Sequence, residues 1–214
     1  MKKNDSISKS LSYDFLIIGT GLSGLSAALY AAKFGKVCII TKSSVDESNS
    51  YWAQGGIAAA VDEDDSIESH FKDTISAGSD LNNLDAVKIM VSEGFERVSE
   101  LIQNGMKFDL DESGFDLGIE GGHSKRRILH ALGNETGKAV VDFLAKEIEK
   151  NKNISILENT SVIELFSDNK TCFGGLVQSD KQKSKIAISA KATILATGGA
   201  CGIYYNSTNP SSTS

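Results

Sequence analysis

Phe15-Leu16-Ile17-Ile18-Gly19-Thr20-Gly21-Leu22-Ser23-Gly24 is the stretch on which the fold turns. Four apolar residues in a row read as a short strand buried on both faces, as in a parallel sheet. The glycines follow at once in a G-x-G-x-x-G spacing, and Leu25, Ala28, Leu29 and Ala32 then recur at helical intervals as far as Phe34. Between a strand and a helix the three glycines have separate tasks. Gly19 permits the tight turn, Gly21 lets a pyrophosphate approach the backbone, and Gly24 lets the helix pack on the strand. The helix N-terminus offers free N–H groups and a partial positive charge to phosphate. Gly35 closes the helix and Val37-Cys38-Ile39-Ile40 forms a second buried strand, so the opening reads as β-turn-α-β.

Outward from that unit the chain departs from a plain nucleotide-binding domain. A second strand that holds a ribose diol ends with an acid, whereas here Thr41-Lys42 follows. A lysine there is what a 2′-phosphate, and hence NADP, would call for. A bare NADP-binding domain, however, continues with regular βα units. This chain instead enters a Ser- and Gly-rich loop from Ser43 to Ala60. Asp62-Glu63-Asp64-Asp65 reads as the solvated first turn of a helix through Ile75. Asp85 to Asn104 reads as a helix whose stripe of Val87, Met90, Val91, Phe95, Val98, Leu101 and Ile102 is core. A further helix spans Asn134 to Lys150. Short runs at Ile154–Leu157, Ser161–Phe166, Cys172–Gln178, Lys185–Ser189 and Ala192–Ala196 then read as a strand, a β-meander and a return strand.

Composition narrows the function classes. The chain has 214 residues, a net charge of -6, 40% hydrophobic and 23% charged residues. That suits a globular domain with a sizeable core and argues against a nucleic-acid or anionic-membrane surface. No apolar run approaches the ~20 residues of a membrane span. Met1 to Ser12 is polar and lacks a secretory h-region, so residues 1–12 are expected to be a disordered lead-in to one domain over 13–214. Cys38, Cys172 and Cys201 form no CxxC and read as reduced thiols of a cytoplasmic protein. His123 and His130 have no Cys or carboxylate at ligand spacing, so no metal site is expected. Arg126 and Arg127 read by default as surface ion-pairing residues.

Further motifs carry a resemblance. Ser50-Tyr51-Trp52-Ala53-Gln54-Gly55-Gly56-Ile57 is similar to the flavin-contacting loop of the succinate dehydrogenase, fumarate reductase and L-aspartate oxidase flavoproteins. Glu120-Gly-Gly-His123-Ser-x-Arg126-Arg127-Ile-Leu-His130 resembles the L-aspartate oxidase form of a segment near the active site. Ala196-Thr197-Gly198-Gly199, with Tyr204 and Thr208-Asn209-Pro210, resembles the strand and turn beside the isoalloxazine. The resemblance runs from about Tyr13 to Pro210, in family order.

It implies an α/β fold: a Rossmann-like FAD-binding domain of the two-dinucleotide-binding flavoprotein type, with inserted helices and a β-meander, incomplete at the C-terminus. It implies FAD held through Gly19, Thr20, Gly21, Leu22, Ser23, Gly24, Lys42, Asn49, Ser50, Tyr51, Trp52, Ala53, Gln54, Gly55, Gly56, Val162, Ala196 and Thr197. The respiratory members carry a covalently bonding His near the place of Asn49. No His occurs here between the glycine turn and His70, so non-covalent FAD is implied. The implied activity is oxidation of L-aspartate to iminoaspartate in NAD biosynthesis, with oxygen or fumarate as electron acceptor and quinolinate synthase as a partner. Glu120, facing the substrate α-ammonium, and His123 are the implied substrate residues. A fumarate reductase or succinate dehydrogenase-type flavoprotein, or a non-catalytic truncated dinucleotide-binding module, are the alternatives. The family's capping domain, its dicarboxylate-clamping Arg and His residues and its C-terminal helical domain lie beyond the matching stretch, so these 214 residues are expected to lack oxidase turnover and to hold FAD weakly.

Overall fold

The computed structural model describes residues 7–112 and 114–210. They group into two compact units, one of residues up to Trp52 and from Val141 onward, the other of Ala53–Val140.

The first unit opens with β1 (Ile7–Ile18), α1 (Leu22–Ala31) and β2 (Val37–Ile40). In the second unit β3 (Ile57–Ala58) is followed by α2 (Ile67–Ala77) and α3 (Leu84–Gln103). Then come the short strands β4 (Leu110–Asp111), β5 (Gly114–Phe115), β6 (Leu117–Gly118) and β7 (Ile128–Leu129). Helix α4 (Thr136–Glu149) leads back into the first unit, which finishes with β8 (Ile154–Leu157), β9 (Thr160–Ser167), β10 (Cys172–Ser179) and β11 (Lys185–Leu195).

The first unit is a six-stranded sheet in the order β8-β2-β1-β11-β10-β9. The first four strands are mutually parallel, and β10 and β9 continue antiparallel. Leu16, Ile18, Cys38, Ile40, Val177 and Ile188 build one apolar cluster across it. Burial pushes the Cys38 thiol up to about 12, so it behaves as a small core hydrophobe.

Two expectations change here. The last run of the meander and the return strand are one strand. The first half of β11 pairs antiparallel with β10 through Lys185–Ser189, and its whole length pairs parallel with β1. Because β11 is long, it offers backbone partners to residues 7–12, which form the first half of β1 instead of a disordered lead-in. Ser8 Oγ donates to Lys185 O at 2.8 Å and Ser189 Oγ to Leu11 O at 3.3 Å. Their side chains are mostly exposed, which is why no apolar run marks them. Residues 1–6 of that expected lead-in lie outside the described residues.

In the second unit Ser66 and Asn83 cap α2 and α3 by accepting from Ser69 N and Ala86 N. Val87, Val91 and Val98 of α3 are buried, but Met90 and Phe95 are 54% and 49% exposed, against expectation. At ~100° per residue the three valines fall within ~40° of one another, while the other two lie on the flanks of that face. The apolar stripe is broader than the surface that α3 packs. Strands β3, β7 and β6 make a small antiparallel sheet.

Candidate functional site

A cavity of about 340 Å³ opens in the first unit. Its size lies within the range of small-molecule sites. It sits at the carboxyl ends of the parallel strands, where ligands bind in open α/β sheets. Gly19 N–H donates to Ile40 O at 2.8 Å and Ala196 N–H to Ile18 O at 2.9 Å. These bonds draw the ends of β1, β2 and β11 together at the cavity floor.

The glycine turn is built as the spacing requires. Gly19 has φ +115°, and a Cβ on it would stand 2.1 Å from Ala196 O; a Cβ on Gly24 would stand 2.1 Å from Gly19 O. Neither position tolerates a side chain. Gly21 differs, because a Cβ there meets only Ser50 Oγ, at 3.3 Å. Gly21 is the N-cap of α1 and supplies no side-chain cap, so the helix end faces the cavity without a built-in acceptor. One donor is already used. Leu22 N–H donates to Ser50 Oγ at 3.0 Å, which ties the following loop to the turn and removes Leu22 N–H from the expected phosphate cradle.

Of the residues implied for the cofactor, Gly19, Thr20, Gly21, Ser23, Lys42, Asn49, Ser50, Val162, Ala196 and Thr197 line this cavity. Gly24 lies beneath the turn, and Leu22 acts through its backbone. Tyr51 and Trp52 stack edge to face at 6.0 Å, and Trp52 is exposed rather than core. The lining also includes Thr41, Glu47, Ser48, Thr160, Ser161, Gly198 and Gly199, which the sequence reading did not single out as ligand residues. Thr160 N–H donates to Thr41 O at 2.9 Å, a pairing between distant segments. Glu47, seven residues after the end of β2, puts a carboxylate-bearing residue on the cavity lining.

The fit to a dinucleotide rests on three features: the glycine turn, the uncapped start of α1 and Asn49. Asn49 Oδ1 is buried at the cavity wall with no hydrogen-bond partner among the described residues, although its Nδ2 donates to Cys201 Sγ at 3.7 Å. An orphaned buried acceptor in a ligand-sized cavity is what an absent donor leaves behind. The residues therefore fit a diphosphate-bearing nucleotide such as FAD.

The remaining implied residues belong to the second unit. Ala53, Gln54 and Gly55 are exposed there. Gly56 is required by its own sheet, since a Cβ would stand 2.4 Å from Leu129 O. Glu120 is exposed, and its Oε1 lies 3.8 Å from where a Cβ on Gly55 would stand. The structure thus brings the Glu120 carboxylate to the glycine loop. His123 is half-buried, and its ring centroid lies 5.8 Å from that of His70.

Arg127 is the residue that sequence reasoning misjudged. It is fully buried, with Nε and Nη2 on Asp65 at 2.7 and 2.8 Å and Nη1 on Asp73 at 2.9 Å. Asp65 is likewise buried, so the last member of the acidic run is no solvated helix turn. The backbone N–H of Ser124, its hydroxyl and the Arg127 guanidinium hold the Asp73 carboxyl below the usual carboxylate range. The signal was local only in part: an acid just before α2 and another eight residues on say nothing of their partner 62 residues beyond the first.

Residues 14–213 match the family model for an FAD binding domain. The L-aspartate oxidase of Clostridium acetobutylicum is 43% identical over 92% of this chain and 44% of its own length. The chloroplastic L-aspartate oxidase 2-b of Nicotiana tabacum is 41% identical over 92% of this chain and 31% of its own length. The chain therefore spans less than half of these relatives. The FrdA chain of E. coli quinol fumarate reductase superposes with a TM-score of 0.91 at 27% identity, covering 96% of this chain and 36% of that one. With the match extending from residue 14 to 213, this chain belongs to the FAD binding domain family, and its cofactor is FAD.

Proposed function

We propose that the protein carrying this chain oxidises L-aspartate to iminoaspartate with non-covalently bound FAD. Bound FAD supplies a two-electron acceptor for the hydride leaving the aspartate α-carbon. The chain's own residues bind and orient. The α1 N-terminus and the Gly19–Gly24 turn receive the diphosphate, Lys42 adds positive charge near the adenosine side, and Asn49 Oδ1 accepts from the cofactor. Ser50 holds the loop onto α1. Non-covalent attachment is supported by the absence of any His between Gly24 and His70.

The observation that carries the substrate assignment is the approach of the Glu120 carboxylate to the Gly55 loop. An anion there pairs with an α-ammonium and disfavours dicarboxylates that lack one. Oxygen or fumarate as acceptor and quinolinate synthase as a partner follow from the same family reading; a cytoplasmic location rests on the reading of Cys38, Cys172 and Cys201 as reduced thiols. Relatives named L-aspartate oxidase at 41–43% identity support the family reading.

A fumarate reductase or succinate dehydrogenase-type activity is the second reading, favoured by the 0.91 TM-score to FrdA. Turnover of aspartate against succinate by the protein that carries this chain separates the two. Within the first reading, Glu120→Gln raises the aspartate KM by about tenfold or more, as expected for a lost charge-assisted contact, and harms fumarate use less. Equal losses on both substrates remove the role.

A further inference from the structure

The turn that bears Glu120 and His123 has little to hold it by itself. Glu120, Gly121 and Gly122 are exposed. Its internal bond runs from His123 N–H to Glu120 O at 3.1 Å, and Gly122 sits at φ +87°. What fixes the turn is its downstream end. Ser124 N–H and Ser124 Oγ both donate to Asp73 Oδ2, each at 2.8 Å. The same oxygen accepts from Arg127 Nη1 at 2.9 Å. Three donors therefore converge on one carboxylate oxygen that projects from α2.

Arg127 connects this point to rigid structure. Its backbone N–H donates to Gly118 O at 3.1 Å and its carbonyl accepts from Ala59 N–H at 3.0 Å, so its main chain is tied to the three-stranded sheet immediately before β7. Its side chain makes the two-pronged pair with Asp65 and donates to Ser69 Oγ at 3.0 Å. A buried ion pair is seldom the most stable way to fill such a space, and its best-attested use is to specify geometry. Here the geometry specified is the register between α2 and the segment from β6 to β7, which is the segment that carries the turn.

The guanidinium also faces His123. Nη1 lies 3.5 Å from His123 Nδ1. A guanidinium only donates, so the ring presents Nδ1 to it as an acceptor. The neutral imidazole then carries its proton on Nε2, the edge turned away from Arg127. Opposite His123 stands His70, whose Nδ1 is buried without a partner among the described residues.

We propose that Asp73 and Arg127 are positioning residues: they clamp the 120–124 turn in one conformation and orient His123 as an Nε2–H donor on the same turn as the Glu120 carboxylate. The pair so placed recognises an amino-dicarboxylate, with Glu120 taking the ammonium and His123 Nε2–H a carboxylate oxygen. This last step rests on the reading of Glu120 under Proposed function; the clamp itself does not.

The test uses the whole FAD-loaded chain, labelled with 15N, and compares wild type with Asp73→Ala, Asp73→Asn and Arg127→Lys. Asp73 is partly exposed, so its variants retain the buried Asp65–Arg127 pair. In Asp73→Ala the Ser124 amide exchanges about tenfold or more faster, as for a lost hydrogen bond to a charged group, while α3 amides keep their rates. Asp73→Asn, which still accepts from Ser124, restores at least part of the protection. In wild type the 15N shifts of His123 report the Nε2–H tautomer, and Arg127→Lys, which lacks the fork, mixes the two forms. Unchanged Ser124 exchange in Asp73→Ala, or an Nδ1–H tautomer in wild type, overturns the proposal. A loosened turn in Asp73→Ala with an unchanged aspartate KM in the protein that carries this chain upholds the clamp and removes the substrate reading instead.

Discussion

The Asp65 carboxylate receives the Arg127 guanidinium through two parallel hydrogen bonds of 2.7 and 2.8 Å, and both side chains are withdrawn from water. The two residues are 62 positions apart, and together they join the start of α2 to the strand β7 region. A charge pair so placed is costly to break from one side, because the surviving partner keeps its desolvation penalty.

Arg127→Ala therefore destabilises the protein by about 3–5 kcal/mol. Arg127→Met combined with Asp65→Leu recovers most of that loss, since neither charge is then left buried. Urea unfolding of the two variants checks the difference. A double variant as unstable as the single one contradicts the account.

His70 makes stability sensitive to acid. Its imidazole is held below its ordinary value of 6.5 first by burial, then by the positive Arg127 and by His123, against the opposing pull of Asp65 and Asp73. The unfolded chain therefore binds the proton more readily than the folded one. The contribution is complete above pH 6.5 and is lost as pH falls below that value through the lowered folded pKa. Wild type should lose stability between pH 6.5 and the acid range more steeply than His70→Gln. Thermal unfolding measured across that range provides the comparison, and parallel slopes would count against His70 as the cause.

Gly21 separates the demands of fold and ligand. A Cβ at this position meets only Ser50 Oγ at 3.3 Å, so Gly21→Ala leaves the apo fold within about 1 kcal/mol of wild type. The methyl nevertheless occupies the approach of a diphosphate to the helix end. FAD affinity should drop by about tenfold or more, read by flavin fluorescence titration. Gly24→Ala, by contrast, has its Cβ 2.1 Å from Gly19 O and loses both fold stability and FAD.

Asn49 offers the opposite dissection. Its Oδ1 is a buried acceptor unpaired among the described residues, which costs the apo protein about 1–3 kcal/mol. Asn49→Ala should leave the apo melting temperature equal or higher, yet weaken FAD by about tenfold. A variant that lowers apo stability and leaves FAD binding intact would show that Asn49 serves the loop alone.

Much of the cavity lining was legible in the chain because its parts are local. The run Phe15–Ile18, the glycines at 19, 21 and 24 and the second strand Val37–Ile40 each declare a backbone state through their own residue types. Lys42, Asn49, Ser50 and Ala196 came from a resemblance and reached the same cavity. Thr160, Ser161 and Glu47 did not stand out, because they join the wall only through the pairing of β9 with its sheet and the path of a loop. Met90 and Phe95 misled because helical periodicity marks an apolar face but not the width of the partner that covers it.

Sequence alone determined the β-turn-α-β opening, since the positive φ of Gly19 is a local backbone state and the steric limit at Gly24 acts against Gly19, five residues away. Tertiary structure decided that residues 7–12 are a strand, because the partners that order them lie on β11, 178 positions away in the case of the Ser189 hydroxyl that donates to Leu11 O. It also decided that Arg127 is an internal clamp and not a surface cation. A charged side chain can be buried only where distant opposite charges meet it in fixed geometry, and that meeting exists only once the chain has folded.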